Sequence, residues 1–265
     1  MTLNIEKQAV AQSFGDAAND YDEYALIQHK IAQGLISISP NTINDSKVIL
    51  DLGCGTGYCL PLLSEKYQTH NVTGADLSQG MLDYAQSHYP LFKYEMADAE
   101  NLPFKDNQYD LIFSNFAVQW CDRFSQVLAE IFRCLAPGGQ LVLSTLADGT
   151  LQELKQAWAQ ADDYQHVNDF EPASALVHAV NASEFDVALM NTKTEVHYYS
   201  TVRALTDSLK RIGAHNITSG RAKALTSPGT IKKFTKALES FRTEQGLPAS
   251  YEVFTCVLSK PKMTS

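Results

Sequence analysis

The chain has 265 residues, 45% hydrophobic and 19% charged, a composition that is typical of a globular protein and excludes disordered, collagen-like and coiled-coil chains. The 21 basic and 30 acidic residues give a net charge of −9, which argues against bulk binding to nucleic acid or anionic lipid. No segment approaches the roughly 18 consecutive apolar residues of a membrane span, and no basic segment leads an apolar run at the start. We therefore expect a cytoplasmic protein that binds neither nucleic acid nor a membrane.

The cysteines and histidines show no pattern that is typical of a metal site. The 5 cysteines form no CxxC pair, and neither they nor the 7 histidines cluster at the spacings that bind zinc. We therefore expect reduced structural thiols and no metal ion.

Two helices are predicted ahead of the first strand. Apolar side chains recur at helical spacing over Ile5–Phe14 and again over Tyr24–Ile38, and Pro40 ends the second run. The first strand-forming run begins at Lys47. Residues 1–46 are therefore interpreted as an N-terminal helical segment that acts as a lid.

Strand-like and helical patterns then alternate through residue 147. Lys47–Leu52 predicts a strand that enters a glycine-rich turn, Gly53–Gly57, and a helical pattern continues from there through Leu63. Further strands are predicted at Asn71–Asp76, Phe92–Met96, Tyr109–Asn115 and Gln140–Leu146, with helices at Gly80–His88 and Phe124–Leu135. A break is predicted at Pro137-Gly138-Gly139. This alternation favours a doubly wound, mostly parallel sheet over residues 47–147.

The alternation stops after Ala147. Four helical patterns follow, at Leu151–Ala161, Ala173–Val180, Thr201–Ile212 and Thr230–Phe241. They surround one extended run, Phe185–Tyr199, and a closing strand is predicted at Tyr251–Leu258 within residues 250–265. Residues 148–249 are therefore interpreted as a largely helical insertion that roofs the carboxyl ends of the strands, where open α/β sheets bind ligands.

The glycine turn after the first strand predicts a cofactor site. Gly53, Gly55 and Gly57 allow a turn tight enough for a cofactor to lie against main-chain N–H groups at a helix start. The spacing is GxGxG, which differs from the GxGxxG pattern of dinucleotide sites. Asp51, at the end of the strand, is placed to accept a hydrogen bond from a cationic amino group.

Two further acids follow successive strands. Asp76 ends the second strand, where a carboxylate can accept from both hydroxyls of a ribose. Asp98 and Ala99 follow the third strand, where an acid can accept from the exocyclic amine of adenine; a simple turn cap is the alternative for Asp98.

Together, these segments resemble the class I S-adenosylmethionine-dependent methyltransferases over about Lys47 to Leu146. In that family the counterparts of DLGCGTG at 51–57, DLSQGML at 76–82 and DAENLPF at 98–104 bind the methionine part, the ribose and the adenine. The resemblance implies a Rossmann-like α/β fold with a mostly parallel seven-stranded sheet, helices on both faces and a helical lid insertion before the last strands. It also implies S-adenosyl-L-methionine as the cofactor, S-adenosyl-L-homocysteine as its product, and cofactor-binding roles for Asp51, Gly53, Gly55, Gly57, Asp76, Leu77, Met81, Asp98, Ala99 and Asn115.

Four other segments are similar to the malonyl-acyl-carrier-protein O-methyltransferase family of biotin synthesis. They are Ser13–Tyr21, Phe113–Cys121, Thr145–Leu154 and Ser208–Asn216. This similarity implies methylation of the free carboxylate of malonyl-acyl carrier protein, or of malonyl-CoA, to give the methyl ester that primes pimeloyl synthesis. One position departs from the family, because Asp16 stands where a basic residue is usual.

The implied reaction needs a carboxylate site more than it needs a base. A malonyl carboxylate is already ionised near neutral pH, so positioning and desolvation must supply most of the acceleration. Arg211 is the first choice to bind it because a guanidinium matches a carboxylate. The other candidate substrate-binding residues are Lys210, His215, Asn216 and Arg203, and we expect Tyr21, Gln119 and Trp120 to position the reactants. The alternatives are that Trp120 packs in the core, that Tyr21 is an interfacial ring, and that Lys210 and Arg211 are solvated surface charges.

Charge placement indicates an acidic partner. Residues 201–238 hold eight basic residues and one acid, a local balance of +7 on a protein of net charge −9. Acyl carrier protein is small, acidic and helical, and suits such a surface. The predicted docking residues are Lys232, Lys233, Lys236, Arg221 and Lys223, with solvated helix faces as the alternative. Two other functions stay open: methylation of another small carboxylic acid or a quinone precursor, and a non-catalytic module that binds S-adenosylmethionine.

Overall fold

The computed structural model describes residues 7–214 and 227–262. Two helices, α1 (Lys7–Tyr24) and α2 (Leu26–Ile38), precede the sheet. The helix predicted to end at Phe14 continues through Gly15. A Cβ at Gly80 would lie 2.8 Å from the Gly15 Cα. Because neither glycine has a side chain, α1 packs directly against the helix Gln79–His88 that contains Gly80.

The centre of the fold is a seven-stranded sheet. Its strands are β1 (Ile49–Leu52), β2 (Val72–Asp76), β3 (Lys93–Met96), β4 (Tyr109–Asn115), β5 (Leu135–Ala147), β6 (Asp186–Tyr199) and β7 (Leu247–Ser259). They are ordered β3-β2-β1-β4-β5-β7-β6. The first five strands are parallel, and β7 runs antiparallel to both of its neighbours. The predicted fold class is therefore confirmed.

Helices cover both faces of this sheet. They are α3 (Cys59–Tyr67), α4 (Gln79–His88), α5 (Phe124–Cys134), α6 (Gln152–Ala159), α7 (Ala173–Asn181), α8 (Val202–Arg211) and α9 (Pro228–Glu239). Successive residues of the buried strands alternate between the two layers: Ile49 packs with α2 and α3, whereas Leu50 packs with α5. Among the described residues, none of the helices has the length and apolar character that crossing a bilayer requires.

The extended run predicted at 185–199 is one of the seven strands of the sheet. It forms the edge strand β6, which pairs with β7 from Asp186 opposite Ser259 to Tyr199 opposite Leu247. The helices after β5 therefore form two groups, with α6 and α7 before β6 and α8 and α9 after it. Strand β5 also begins at Leu135, directly after α5, so the predicted break at Pro137-Gly138-Gly139 lies inside a strand.

A second layer of helices roofs part of the sheet. Apolar side chains of α6, α8 and α9, including Leu154, Leu205 and Phe234, form one cluster with Ile27 of α2. Phe116, which directly follows β4, belongs to the same cluster. This roof therefore stands over the carboxyl ends of the strands, where the predicted site residues lie.

Candidate active site

A cavity of about 800 Å³, including its mouth, lies at the carboxyl ends of β1, β2 and β3. Eight of the ten predicted cofactor-binding residues line it: Gly53, Gly55, Asp76, Leu77, Met81, Asp98, Ala99 and Asn115. Asp51 and Gly57 are next to lining residues but are not themselves among the residues that line the cavity. Gly57 has a φ of +85°, and a Cβ there would lie 3.0 Å from Tyr89 and 3.1 Å from Ala85, so its role is to let the turn pack against its neighbours.

The first two glycines of the turn serve different purposes. Gly53 has a φ of +75°, and a Cβ there would lie 2.1 Å from the Ala117 Cβ. Gly55 has a φ of +52°, but a Cβ added there would have no neighbouring atom within 4 Å. Gly53 therefore permits a close approach of two loops, whereas Gly55 leaves open space beside the cavity.

Main-chain N–H groups fix the carboxylate of Asp76. Its Oδ2 accepts from the N–H of Gly55 at 2.9 Å and its Oδ1 accepts from the N–H of Ser78 at 2.8 Å. Burial raises the pKa of this carboxyl, and the main-chain hydrogen bonds oppose the rise. The carboxylate is thus held in a fixed orientation at the cavity wall, as a ribose-binding acid requires.

Asp51 holds a buried carboxylate with an unsatisfied oxygen. The residue is 2% exposed, and its Oδ2 has no hydrogen-bond partner among the described residues. Burial and the nearby Asp76 raise the pKa of Asp51 to about 8. A buried acceptor of this kind is normally satisfied, so the site fits a ligand that brings a cationic amino group, as S-adenosyl-L-methionine does.

This raised pKa predicts a proton release when a cationic ligand binds. Below pH 8 Asp51 is mostly protonated in the free protein, and a neighbouring ammonium favours the carboxylate, so the affinity for S-adenosyl-L-homocysteine should fall by about tenfold for each pH unit below 8. Calorimetry between pH 6 and 8, in buffers of different ionisation enthalpy, measures both the affinity and the proton release. Asp51→Asn should remove the pH dependence, whereas a pH-independent affinity in the native protein would contradict the assignment.

Helix α1 closes the cavity by bonding to the loops that line it. Lys7 Nζ lies 2.6 Å from Asp98 Oδ2, so the acid predicted to bind adenine already has an ion-pair partner. Ser78 Oγ donates to the main-chain oxygen of Ala11 at 2.7 Å. Thr56, in the glycine turn, donates to Asp22 Oδ1 at 2.7 Å. These contacts hold α1 over the cavity, where a lid is predicted from the sequence.

Four aromatic residues separate this first cavity from a second one of about 1050 Å³, and they line both. They are Phe14, Tyr21, Phe116 and Trp120, called here the aromatic junction. Phe14 meets Trp120 edge to face with ring centroids 5.3 Å apart. Burial, with smaller contributions from Asp76 and Asp22, raises the pKa of Tyr21, so its hydroxyl remains protonated at neutral pH and can donate a hydrogen bond.

Two amides brace the loop that follows β4. Asn115 Oδ1 accepts from Ser144 Oγ at 2.8 Å, and its Nδ2 donates to the main-chain oxygen of Gln28 at 3.2 Å. Gln119 Nε2 donates to the main-chain oxygen of Phe116 at 2.6 Å. Gln119 is therefore satisfied within the protein, although it lines the second cavity.

The second cavity is mostly apolar. Besides the aromatic junction and Gln119, apolar residues of α6, α8, β7 and nearby loops form its walls. Its other polar residues are Gln28, His166, Asn168, Thr206 and Lys210. Sequence reasoning missed Gln28, His166 and Asn168, because each is a single residue in a segment without a recognisable motif.

The predicted carboxylate-binding residues do not converge on this cavity. Lys210 lines it, but Arg211 lies in an outer groove between α1 and α8, where it forms an ion pair with Asp20. Arg203 also lies in the groove and pairs with Asp207 at 3.3 Å. The structure thus places the first-choice arginine outside the second cavity, with its charge already compensated. His215, Asn216, Arg221 and Lys223 lie outside the described residues.

Comparisons with known proteins agree with this geometry. A family model described as "Methyltransferase domain" matches residues 50–143. The crystal structure of the YcgJ protein from Bacillus subtilis matches 89% of this chain and 100% of its own, with a TM-score of 0.59 and 18% identity, which supports the fold alone.

Curated relatives specify the family. The biotin biosynthesis bifunctional protein BioHC of Cellvibrio japonicus is 42% identical over 97% of this chain, and this chain spans 51% of it, about half of the bifunctional relative's length. The malonyl-acyl-carrier-protein O-methyltransferase of Hahella chejuensis is 36% identical over 97% of this chain and 91% of its own. With its glycine turn, its carboxylates and its paired cavities in place, this chain belongs to the malonyl-acyl-carrier-protein O-methyltransferase family.

Proposed function

We propose that this protein transfers a methyl group from S-adenosyl-L-methionine to the free carboxylate of malonyl-acyl carrier protein, giving the methyl ester that primes pimeloyl synthesis. The observation that carries the proposal is the pair of cavities that meet at the aromatic junction. The first presents the acids and glycines that suit the cofactor, and the second is an apolar chamber for an acyl thioester.

The chain's own residues supply binding and orientation in this reaction. When bound, S-adenosyl-L-methionine would supply the methyl group of its sulfonium to a carboxylate oxygen, and the electron pair of the broken C–S bond would stay on sulfur. Asp76 and Asp51 bind the ribose and the amino group, and the ring of Tyr21 stands where the two cavities meet. Since the acceptor carboxylate is already ionised, no residue needs to remove a proton.

Desolvation is the second contribution of the protein. The lid and the aromatic junction surround the meeting point of the cavities with apolar surface, which strengthens the attraction between an anionic acceptor and a cationic donor. The contacts between α1 and the cavity loops support both positioning and desolvation. Their loss should therefore lower turnover as well as cofactor affinity.

The carrier protein docks, we propose, on the outer face of α9. Lys232, Lys233 and Lys236 are exposed on this helix, while Phe234 on its inner face stacks on Trp158 with centroids 3.9 Å apart. Trp158 lines the second cavity. The basic face therefore belongs to a helix whose inner face packs on a wall residue of the proposed acyl chamber, which suits a carrier that presents its thioester on a flexible arm.

Mass spectrometry tests the function directly. Malonyl-acyl carrier protein incubated with the enzyme and S-adenosyl-L-methionine should gain the mass of one methyl group. Asp76→Ala should reduce this gain and weaken S-adenosyl-L-homocysteine binding by about 1–3 kcal/mol, the cost of lost hydrogen bonds to a charged group. Modification of a free dicarboxylic acid or a quinone precursor, with the carrier-bound substrate unchanged, would refute the proposal.

A further inference from the structure

Two side-chain oxygens in the second cavity lack hydrogen-bond donors within the protein. Gln28 Oε1 and Asn168 Oδ1 are buried and accept no hydrogen bond from the described residues. Both residues line the second cavity, and Asn168 is only 6% exposed. Because buried acceptors are normally satisfied, these two oxygens point to a ligand that brings donors into the cavity.

The neighbouring amides show that this is a local exception. Asn115 Oδ1 accepts from Ser144 Oγ at 2.8 Å, and Gln119 Oε1 accepts from Thr145 Oγ1 at 3.3 Å. Unsatisfied amide oxygens are therefore not a general property of the loops around this cavity.

A malonyl group cannot supply the missing donors, because its carboxylate and its thioester oxygen only accept hydrogen bonds. The arm that carries it can. Acyl carrier proteins and coenzyme A both present their thioester on a pantetheine arm, which contains two amide groups in series, each with an N–H donor and a carbonyl acceptor. A side-chain amide matches such a group in both directions, since it also has an acceptor and a donor.

The size and lining of the cavity suit the rest of this arm. Its volume of about 1050 Å³, including the mouth, is typical of pockets for ligands much larger than a malonyl group. The arm is aliphatic between its amides, and the walls are formed largely by aliphatic and aromatic side chains. The polar and apolar parts of the arm thus both find matching surface.

Gln28 lies next to the aromatic junction. Its main-chain oxygen accepts from the Asn115 amide at 3.2 Å, and Asn115 lines the first cavity. Gln28 lines the second cavity together with Tyr21 and Phe116, which belong to both cavities. A thioester that presents its carboxylate to the first cavity therefore brings the nearer amide of its arm toward Gln28.

Asn168 lies in a loop toward the proposed docking helix. It follows His166 by two residues, and the His166 ring stacks on Trp158 with centroids 3.7 Å apart. Trp158 stacks in turn on Phe234 of α9. Trp158 and His166 line both the second cavity and a groove on the surface. Asn168 therefore belongs to a loop that borders the cavity and the surface beside α9.

We propose that the second cavity binds the pantetheine arm of the substrate, with Gln28 accepting from the amide N–H nearer to the thioester and Asn168 accepting from the amide N–H nearer to the carrier. This inference rests on the proposed function. It assigns to the two side chains the selection of a thioester on an amide-bearing arm over a free dicarboxylic acid.

The first test compares four variants of the full chain. Asn168→Leu and Gln28→Met remove an acceptor with little change in size, whereas Asn168→Asp keeps an acceptor oxygen. Gln33→Met is the matched control, because Gln33 is exposed on the same helix as Gln28 and bonds to Tyr58. Steady-state rates on malonyl-acyl carrier protein and calorimetry with S-adenosyl-L-homocysteine are measured for each variant.

Asn168→Leu and Gln28→Met should each lower kcat/KM by about 3- to 10-fold, the loss expected for one hydrogen bond between neutral groups. Their S-adenosyl-L-homocysteine affinity should stay unchanged. Asn168→Asp should remain closer to the native enzyme than Asn168→Leu, since a carboxylate still accepts from an N–H group. Gln33→Met should behave as the native enzyme does.

A second test separates the two amides by shortening the substrate. Malonyl-pantetheine has both amide groups, whereas malonyl-N-acetylcysteamine keeps only the one nearer to the thioester. The native enzyme should show a kcat/KM about 3- to 10-fold higher on malonyl-pantetheine. Asn168→Leu should lose most of this preference, and Gln28→Met should retain it. The preference of the native enzyme tests the site even where a variant fails to fold.

The outcomes separate this inference from the proposed function. Native enzyme that leaves malonyl-acyl carrier protein unmodified refutes the function itself. If the native enzyme methylates it and Asn168→Leu and Gln28→Met match Gln33→Met, the function stands and the arm site is overturned. Equal losses in Asn168→Leu and Asn168→Asp, a parallel loss of S-adenosyl-L-homocysteine affinity, or equal native activity on the two short thioesters would also overturn it. If neither short thioester reacts, the variants on malonyl-acyl carrier protein decide.

Discussion

Gly53→Ala should lower the free energy of unfolding by about 2–5 kcal/mol, because it combines the cost of a left-handed backbone at a residue with a side chain and the cost of overpacking. The φ of Gly53 is +75°, and its added Cβ would lie 2.1 Å from the Ala117 Cβ. Any relief of this clash moves the loop that carries Ala117, which lines the first cavity. We therefore also expect weaker S-adenosyl-L-homocysteine binding.

Gly55→Ala is the matched control in the same turn. Gly55 has a φ of +52°, but an added Cβ would have no atom within 4 Å. Only the backbone cost of about 1–2 kcal/mol applies to the fold. Urea unfolding of both variants measures the difference. Equal destabilisation of the two would show that the Ala117 loop moves freely and that the close approach is not required.

This contrast shows what the motif could predict and what it could not. The spacing of the glycines predicted a cofactor turn, since positive φ angles and close approaches both favour glycine. The roles of the individual glycines depend on atoms brought from elsewhere in the chain, such as Ala117 beside Gly53 and Tyr89 beside Gly57. These neighbours are set by tertiary packing, which spacing alone does not record.

The acids were predictable for a topological reason. Asp76 and Asp98 follow successive parallel strands, whose carboxyl ends meet at one edge of the sheet, and both line the first cavity. Arg211 was chosen because a guanidinium matches a carboxylate. Its partner, Asp20, lies 191 residues away in sequence, so the ion pair that holds it outside the second cavity left no local signal.

The pairing of the edge strand β6 also left no local signal in the sequence. All 14 of its residues are exposed or partly exposed, and the run lacks the strongly apolar character of the central strands. Its pairing with β7 is a contact between distant parts of the chain. The predicted seven-stranded sheet includes this extended segment, but its position at the edge, beside β7, is visible only in the fold.

Reversing the charge of Lys232, Lys233 and Lys236 together should raise KM for malonyl-acyl carrier protein by about tenfold or more at low salt, since complementary charges steer association. The three side chains are exposed on α9, whose buried face contacts the wall of the second cavity through Trp158. Added salt should narrow the difference from the native enzyme, because surface charges are screened over about 8 Å at physiological ionic strength.

The matched control reverses Lys93, Lys105 and Lys262. These lysines are also exposed, and Lys93 lies on β3, at the opposite edge of the sheet from β6. Both triple variants have the same net charge, so a general repulsion of the acidic carrier would affect them equally. A raised KM confined to the α9 variant, with unchanged S-adenosyl-L-homocysteine affinity, would support docking on this face. If the two variants behave alike, the α9 lysines form a solvated surface and the carrier docks elsewhere.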